Sequence, residues 1–446
     1  MEPSAPEQTA PESSLGEKLF EARCKVLFSS QQNPTDALAE VSSQGLLVKP
    51  DASGSTFAAY TETAKIEATN YRVSLTTTSG TIIVLSQLGA NYDQLAQKLT
   101  ESWGDAMARA LLMVEPKVYY EASCYLSSQR PPVQCRARIY ETALVVLPYN
   151  GLPVRIPFSE FAGVEIESYK VKVTTSSHGT VELTKLGNET QFFVEKLREA
   201  MKSVEAATIE TIREMVPSAN FDELQKLSRL MIEGRAACRT DVEAISPALW
   251  VKLEKCVELS PVADSYRYLT EQAESSLEAV GLRKSKDSVY VWFMLPLEGG
   301  KSGGNVVALE ITSESGHATY LFRVMPRGGF SAATHDQFIR EAAVLIHDLN
   351  EAIIATGFRR EPIYLSEDQL NTPEYSKYLH ASKHLEPLRF LREHFFGRVI
   401  HVTFDQWKSD FTDAILFNTT AADDGSRWSK STLDFIESLQ ADEPPG

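Results

Sequence analysis

The residues best suited to chemistry in this chain form a few small sets. Arg130, Arg136 and Arg138, joined by Lys170 and Lys172, are its best basic constellation. Alternation along an extended strand puts Arg136 and Arg138 on one face, where two planar guanidiniums can fork onto phosphate oxygens. The plainer reading is the solvated outer face of an antiparallel sheet, which is normally charged. His380 and His384 stand four apart in an expected helix with Glu386 nearby, a spacing that can bring two imidazoles to one metal ion. The His-Glu-x-x-His pattern is absent, and His394 and His401 have no supporting spacing, so helical histidines without a metal are expected.

Gly299-Gly300-Lys301-Ser302 echoes a phosphate loop. That pattern requires glycine at position 295, where Leu295 stands, and a helix afterwards, where a strand-like run follows; a hairpin loop is expected instead. Gly329-Phe330-Ser331-Ala332 begins like a nucleophile elbow but lacks its final glycine. Tyr375, Tyr378, Phe390, Phe395, Phe396, Phe404 and Trp407 crowd one C-terminal stretch. Aromatics in that density make either the core of the last domain or a partner surface, with Tyr375, Tyr378, Phe395, Phe396 and Trp407 its candidate members.

Any such site needs a scaffold, and the 446 residues suffice for two to four domains. With 43% hydrophobic and 23% charged residues, the composition is that of an ordinary globular protein. A net charge of −16 repels nucleic acid and anionic membranes unless bases are locally segregated. The opening Met-Glu-Pro-Ser-Ala-Pro-Glu has no apolar leader. No apolar run reaches the roughly 20 residues that span a bilayer. A soluble, non-secreted protein is therefore expected. Cys24, Cys124, Cys135, Cys238 and Cys256 are sparse, odd in number and free of Cys-x-x-Cys spacing, as reduced cytoplasmic thiols would be.

An internal repeat organises the first half. Displaced by 98 positions, Gly45 to Trp103 aligns with Ala143 to Met201 without a gap, with roughly 17 identities in about 59 positions. Tyr71-Arg72-Val73-Ser74-Leu75-Thr76-Thr77 falls on Tyr169-Lys170-Val171-Lys172-Val173-Thr174-Thr175, and Leu88-Gly89 on Leu186-Gly187. Hydrophobic residues recur every second position before the Leu-Gly pair and about every 3.6 positions after it, so each copy reads as strands closed by a helix. Ser177-His178-Gly179 is the expected turn of a hairpin in copy two. Asn188 or Thr190 caps the following helix, with Phe193, Leu197, Met201 and Val204 on its apolar face. Residues 104–117 are short and rich in Ala, Leu and Met, so the first helix is expected to run on and dock the copies rigidly.

The stretch Ile156-Pro157-Phe158-Ser159-Glu160-Phe161-Ala162-Gly163-Val164-Glu165-Ile166, leading into a Val-x-Val-Thr-Thr hairpin and one C-terminal helix, resembles the pleckstrin-homology-like (PH-like, including GRAM-type) superfold. That resemblance implies binding of lipid head groups or peptides and does not imply catalysis. It also implies a head-group role for Arg130 and Arg136-Ala137-Arg138 in copy two, since copy one has Asp36 and Glu40 and no base in the matching stretch.

The second half begins with helix-like runs such as Phe221 to Met231 and Val242 to Leu253, with Pro217, Pro247 and Pro261 at boundaries or first turns. Strand-like runs Val289 to Met294, Val306 to Ile311 and Thr319 to Val324 follow. Thr334 then caps a helix with Phe338, Ala342, Leu345, Leu349 and Ile353 on one stripe. The expected class is α+β and multidomain, with two tandem PH-like antiparallel barrels or sandwiches, each closed by a helix, then a helical region and a C-terminal α+β domain. The expected divisions are a disordered tail over 1–17, PH-like units over 18–106 and 117–205, and a helical region over 206–284. Beyond these come an α+β domain over 285–358, either a diverged third copy or unrelated, a helical cap over 359–432 and an acidic tail over 433–446.

The leading functional expectation is a non-enzymatic cytoplasmic scaffold or adaptor that binds protein partners, without cofactor or metal. The alternatives are peripheral recruitment to anionic lipid through copy two, or an enzyme within residues 285–420 that uses His335, His380 or His384.

Overall fold

A computed structural model describes residues 16–112, 118–127, 131–148, 153–176, 179–285, 288–298, 306–311, 318–324, 334–372, 374–401 and 403–420. The chain is α+β, with two seven-stranded antiparallel sheets each followed by a helix, then a run of helices and a third sheet with further helices. Copy one contains β1 (Lys18–Phe28), β2 (Thr35–Ser42), β3 (Gly45–Pro50), β4 (Thr56–Ala59), β5 (Thr63–Thr69), β6 (Arg72–Thr77), β7 (Ile82–Ser86) and α1 (Tyr92–Leu112). Copy two repeats the series with β8 (Tyr120–Leu126), β9 (Val133–Ile139), β10 (Ala143–Pro148), β11 (Val154–Pro157), β12 (Phe161–Glu167), β13 (Lys170–Thr175), β14 (Thr180–Thr184) and α2 (Thr190–Met215). Both sheets share one order, β4-β3-β2-β1-β7-β6-β5 and β11-β10-β9-β8-β14-β13-β12, so the first strand of each lies between the second and the seventh.

Alternation explains the strands. Val171 and Val173 are buried in β13 while Lys170 faces solvent and Lys172 is half-buried. The closing helices follow the 3.6-residue period. Leu95, Leu99, Trp103 and Met107, spaced by four, bury one stripe of α1 in the core of copy one. The Trp103 indole donates to the Thr63 carbonyl at 3.3 Å. In α2, Phe193, Leu197 and Val204 are buried and Met201 is half-buried. Thr190 donates its hydroxyl back to the Gly187 carbonyl at 2.8 Å rather than accepting as a cap.

The remaining elements are α3 (Phe221–Leu230), β15 (Ala237–Cys238), α4 (Arg239–Ile245), α5 (Pro247–Glu258), α6 (Ala263–Thr270), β16 (Ala279–Ser285), β17 (Ser288–Leu297), β18 (Val306–Ile311) and β19 (Ala318–Arg323). After them come α7 (His335–Ala355), α8 (Glu361–Tyr364), α9 (Glu367–Leu370), α10 (Leu379–His384), α11 (Glu386–His394), β20 (Phe395–Ile400) and α12 (Phe404–Thr420). The third sheet runs in sequence, β15 to β20, and so does not repeat the order of the first two. The expected helical cap contains a strand, because Phe395–Ile400 pairs with β19 to complete that sheet.

The chain divides into two compact units, Met1–Met201 with Glu367–Leu385, and Lys202–Ser366 with Glu386–Gly446. In the second unit, Val291, Phe293, Leu295 and Leu297 of β17 join a core with Trp250, Trp407 and Phe411, while the intervening Trp292 and Met294 are also fully buried. Burial on both faces explains why this strand reads as a continuous apolar run. Asn350 of α7 clamps Ala236, accepting from its N–H at 2.9 Å and donating to its carbonyl at 2.8 Å. No helix among the described residues is long and apolar enough to cross a membrane.

Candidate functional site

Within the first unit the two copies meet through α1. The helix continues to Leu112, so its last turns extend past the end of copy one. There Ala108 packs with Tyr140, Val145 and Leu147 of copy two, all buried. Beside this apolar contact lies a compact ion network. Arg138 reaches Asp105 at 2.6 Å and also binds Glu121, while Arg136 reaches Asp105 at 3.2 Å and Glu121 at 3.8 Å and donates to the Glu101 carbonyl at 3.2 Å. The arginine side chains are only 11% and 12% exposed. Burial works against the Arg138 charge, but Glu121 and Asp105 outweigh it and raise its pKa.

These pairs change the meaning of the basic constellation. Arg136 and Arg138 do share a face, as alternation requires, but that face is turned onto two carboxylates and carries α1 instead of an open phosphate site. Lys170 and Lys172 lie on β13, three strands from β9 in the sheet, with Glu167 and Glu165 as their register partners on β12. Arg136 and Arg138 therefore do not converge with Lys170 and Lys172. Arg130 lies outside the described residues, as do the glycine loop over 299–304, the Gly329 to Ala332 stretch, the Ser177-His178 turn, and both terminal tails as far as Leu15 and from Ala421.

The expected aromatic surface separates as well. Tyr378 and Trp407 are core residues, 3% and 0% exposed, because each fills a hydrophobic interior. Tyr375 and Tyr378 belong to the first unit, and Phe395, Phe396 and Trp407 to the second. Phe395 packs edge-on against Phe322 with ring centres 6.0 Å apart, and Phe396 receives Arg323 over its ring at 5.6 Å.

His380 and His384 do meet, with ring centres 4.5 Å apart. Burial, reinforced by His384, pushes the His380 imidazole down to about 4. No group of three or more His, Cys, Asp or Glu among the described residues could hold a metal ion. His335 is exposed and bonded to Glu298, whose hydrogen bond and charge raise its pKa. His401 joins Ser265 at 3.2 Å through Nδ1 and Thr319 at 3.2 Å through Nε2. This looks like a nucleophile and base. Ser265 and Thr319 are nevertheless buried, and the third member is a hydroxyl, so the set acts as a tie within the core.

A pair of tyrosines was not among the residues the sequence singled out. The β5–β6 hairpin turns through Asn70 and Tyr71, and the β12–β13 hairpin through Ser168 and Tyr169, with positive φ at all four positions (52° and 56°, 49° and 62°). Thr69 pairs with Arg72 and Glu167 with Lys170, so each loop is two residues long. Both tyrosines are 79% exposed. A turn of this type favours glycine at its second position, where a Cβ atom is strained. Tyrosine occupies it in both copies. Tyr71 packs against Tyr92 at 5.4 Å, whereas the counterpart of Tyr92 in copy two is Thr190. The signal was legible at offset 98 as Asn-Tyr over Ser-Tyr at a strand junction.

No family model matches the chain, and no curated protein matches it. Among solved structures it is similar to one described as "Structure of the Spt16D Pob3N heterodimer", at 16% identity over 37% of this chain and 95% of that chain, with a TM-score of 0.16. A likeness at that score carries no argument about this chain, and the fold rests on its own strand order and register.

Proposed function

We propose that the chain is a non-enzymatic cytoplasmic scaffold or adaptor whose two PH-like copies form one rigid recognition body for a protein partner. The observation that carries this reading is the pair Tyr71 and Tyr169, each 79% exposed at the tip of the same hairpin. Glycine in either turn would relieve backbone strain, by about 0.5–1 kcal/mol, so both tyrosines stand where they weaken the fold. Rigid, amphipathic tyrosines are frequent anchors of protein interfaces. On this reading the contacts of α1 with copy two hold the two anchors at one spacing, so that both engage one partner without a further ordering penalty.

A protein partner is favoured over anionic lipid because Arg136 and Arg138 already have carboxylate partners and the net charge is −16. The test is affinity capture by the full chain from lysate of its native cells, alongside the Tyr71→Gly/Tyr169→Gly variant and a vesicle pull-down across salt concentrations. A stoichiometric protein captured by the wild type and lost by the variant supports the reading. Salt-sensitive vesicle binding without such a protein overturns it.

A further inference from the structure

We propose that Cys124 and Cys135 are a modification site at which a peroxide closes a disulfide across β8 and β9. The two residues are direct register partners in the sheet, and their sulfur atoms lie 3.3 Å apart. Residues opposed across an antiparallel pair have Cβ atoms about 4.5–5.5 Å apart, close to the separation of about 3.5–4.5 Å that a disulfide takes. Bond formation at about 2.05 Å then requires the sulfurs to approach by only about 1.3 Å. The pair is peculiar to copy two. In copy one the equivalent Cys24 faces Ala37, so the same architecture closes without a second thiol.

The oxidant must be small. Cys124 and Cys135 are 2% and 0% exposed, which leaves no room for a bulky disulfide to attack them in the closed fold. Hydrogen peroxide, little larger than water, reaches the pair through brief local opening of the β8–β9 ladder. Either sulfur can donate to the other across that contact, so whichever thiol loses its proton is held as a thiolate by the hydrogen of its partner. That thiolate attacks one peroxide oxygen, the O–O bond breaks, and hydroxide leaves to give a sulfenic acid. The second sulfur then attacks the sulfenic sulfur, its proton leaves with the hydroxyl as water, and the S–S bond forms. Two thiols and one hydrogen peroxide give one disulfide and two waters. The link falls beside Arg136, so it stiffens the strand that carries the ion network with α1.

The full chain is treated with hydrogen peroxide under native conditions, free thiols are alkylated after denaturation, and the unreduced digest is read by mass spectrometry. The expected result is a Cys124–Cys135 peptide pair about 2 Da lighter than its two thiol peptides together, reversed by dithiothreitol, with Cys24, Cys238 and Cys256 still alkylated. Cys135→Ala recreates the pairing found in copy one and should abolish the link, and its thermal midpoint verifies that it folds. Cys124→Ala is the second variant should the first unfold. The proposal is overturned if both cysteines stay alkylatable, if either passes to sulfinic acid without a link, if the other cysteines link as readily, or if linkage requires urea.

Discussion

Replacing Asp105 by Asn isolates the contact that joins the two copies. It removes the carboxylate shared by Arg136 at 3.2 Å and Arg138 at 2.6 Å and leaves both guanidiniums to Glu121. The arginines are 11% and 12% exposed and Asp105 is 36% exposed. Breaking a fully buried pair costs about 3–5 kcal/mol and losing an exposed one about 0.2–1 kcal/mol. With two nearly buried cations and one screened anion, the expected loss is about 2 kcal/mol. Urea unfolding gives the magnitude and amide hydrogen exchange its location. Residues of β9, β10 and the last turns of α1 should exchange faster, while the core of β17 keeps its protection. A loss below about 0.5 kcal/mol, or exchange that rises evenly across the chain, would refute the view that this network fixes the copies together.

Three further outcomes follow from buried groups. Burial, partly offset by Arg239 and reinforced by Glu254, pushes the Glu278 carboxyl up to about 7. A folded-state pKa above the unfolded one of 4.5 gives a contribution that is full below 4.5 and lost as pH rises to about 7, so Glu278→Gln should flatten the decline in stability across that window in urea titrations. His380 runs the other way. Its pKa is lowered from 6.5 to about 4, so its contribution is full above 6.5 and lost as pH falls through 4. The loss reaches about 3 kcal/mol at most, and His380→Gln should reduce that acid slope. Gly281→Ala would drive a methyl carbon into the Trp292 indole nitrogen, which donates to the Gly234 carbonyl at 2.7 Å. A destabilisation of about 3 kcal/mol is expected by thermal unfolding.

Elements whose identity is set locally could be read from the sequence. Alternating Val171 and Val173 and the buried α1 stripe each follow from a short-range period. So does the Thr334 cap follow from its pattern, its hydroxyl accepting from the Gln337 N–H at 3.2 Å. Partners distant in sequence were not legible. The run-on of α1 is legible in its Ala, Leu and Met, but nothing near Arg136 indicates that Asp105, 31 residues earlier, is the group that neutralises it. Phe395 to Ile400 read as part of a helical cap, since its strand pairing depends on β19, far upstream. For Trp407 and Tyr378 a domain core and a partner surface both stayed open, because aromatic crowding does not distinguish the two.

The central claim is tested most directly by the affinity of the captured protein partner for wild-type chain and for the Tyr71→Gly/Tyr169→Gly variant, measured by titration calorimetry. Each anchor should be worth about 2 kcal/mol, so roughly 30-fold in Kd for either single change and several hundredfold for both, with no loss of thermal stability. Equal affinities for the two proteins would contradict the account.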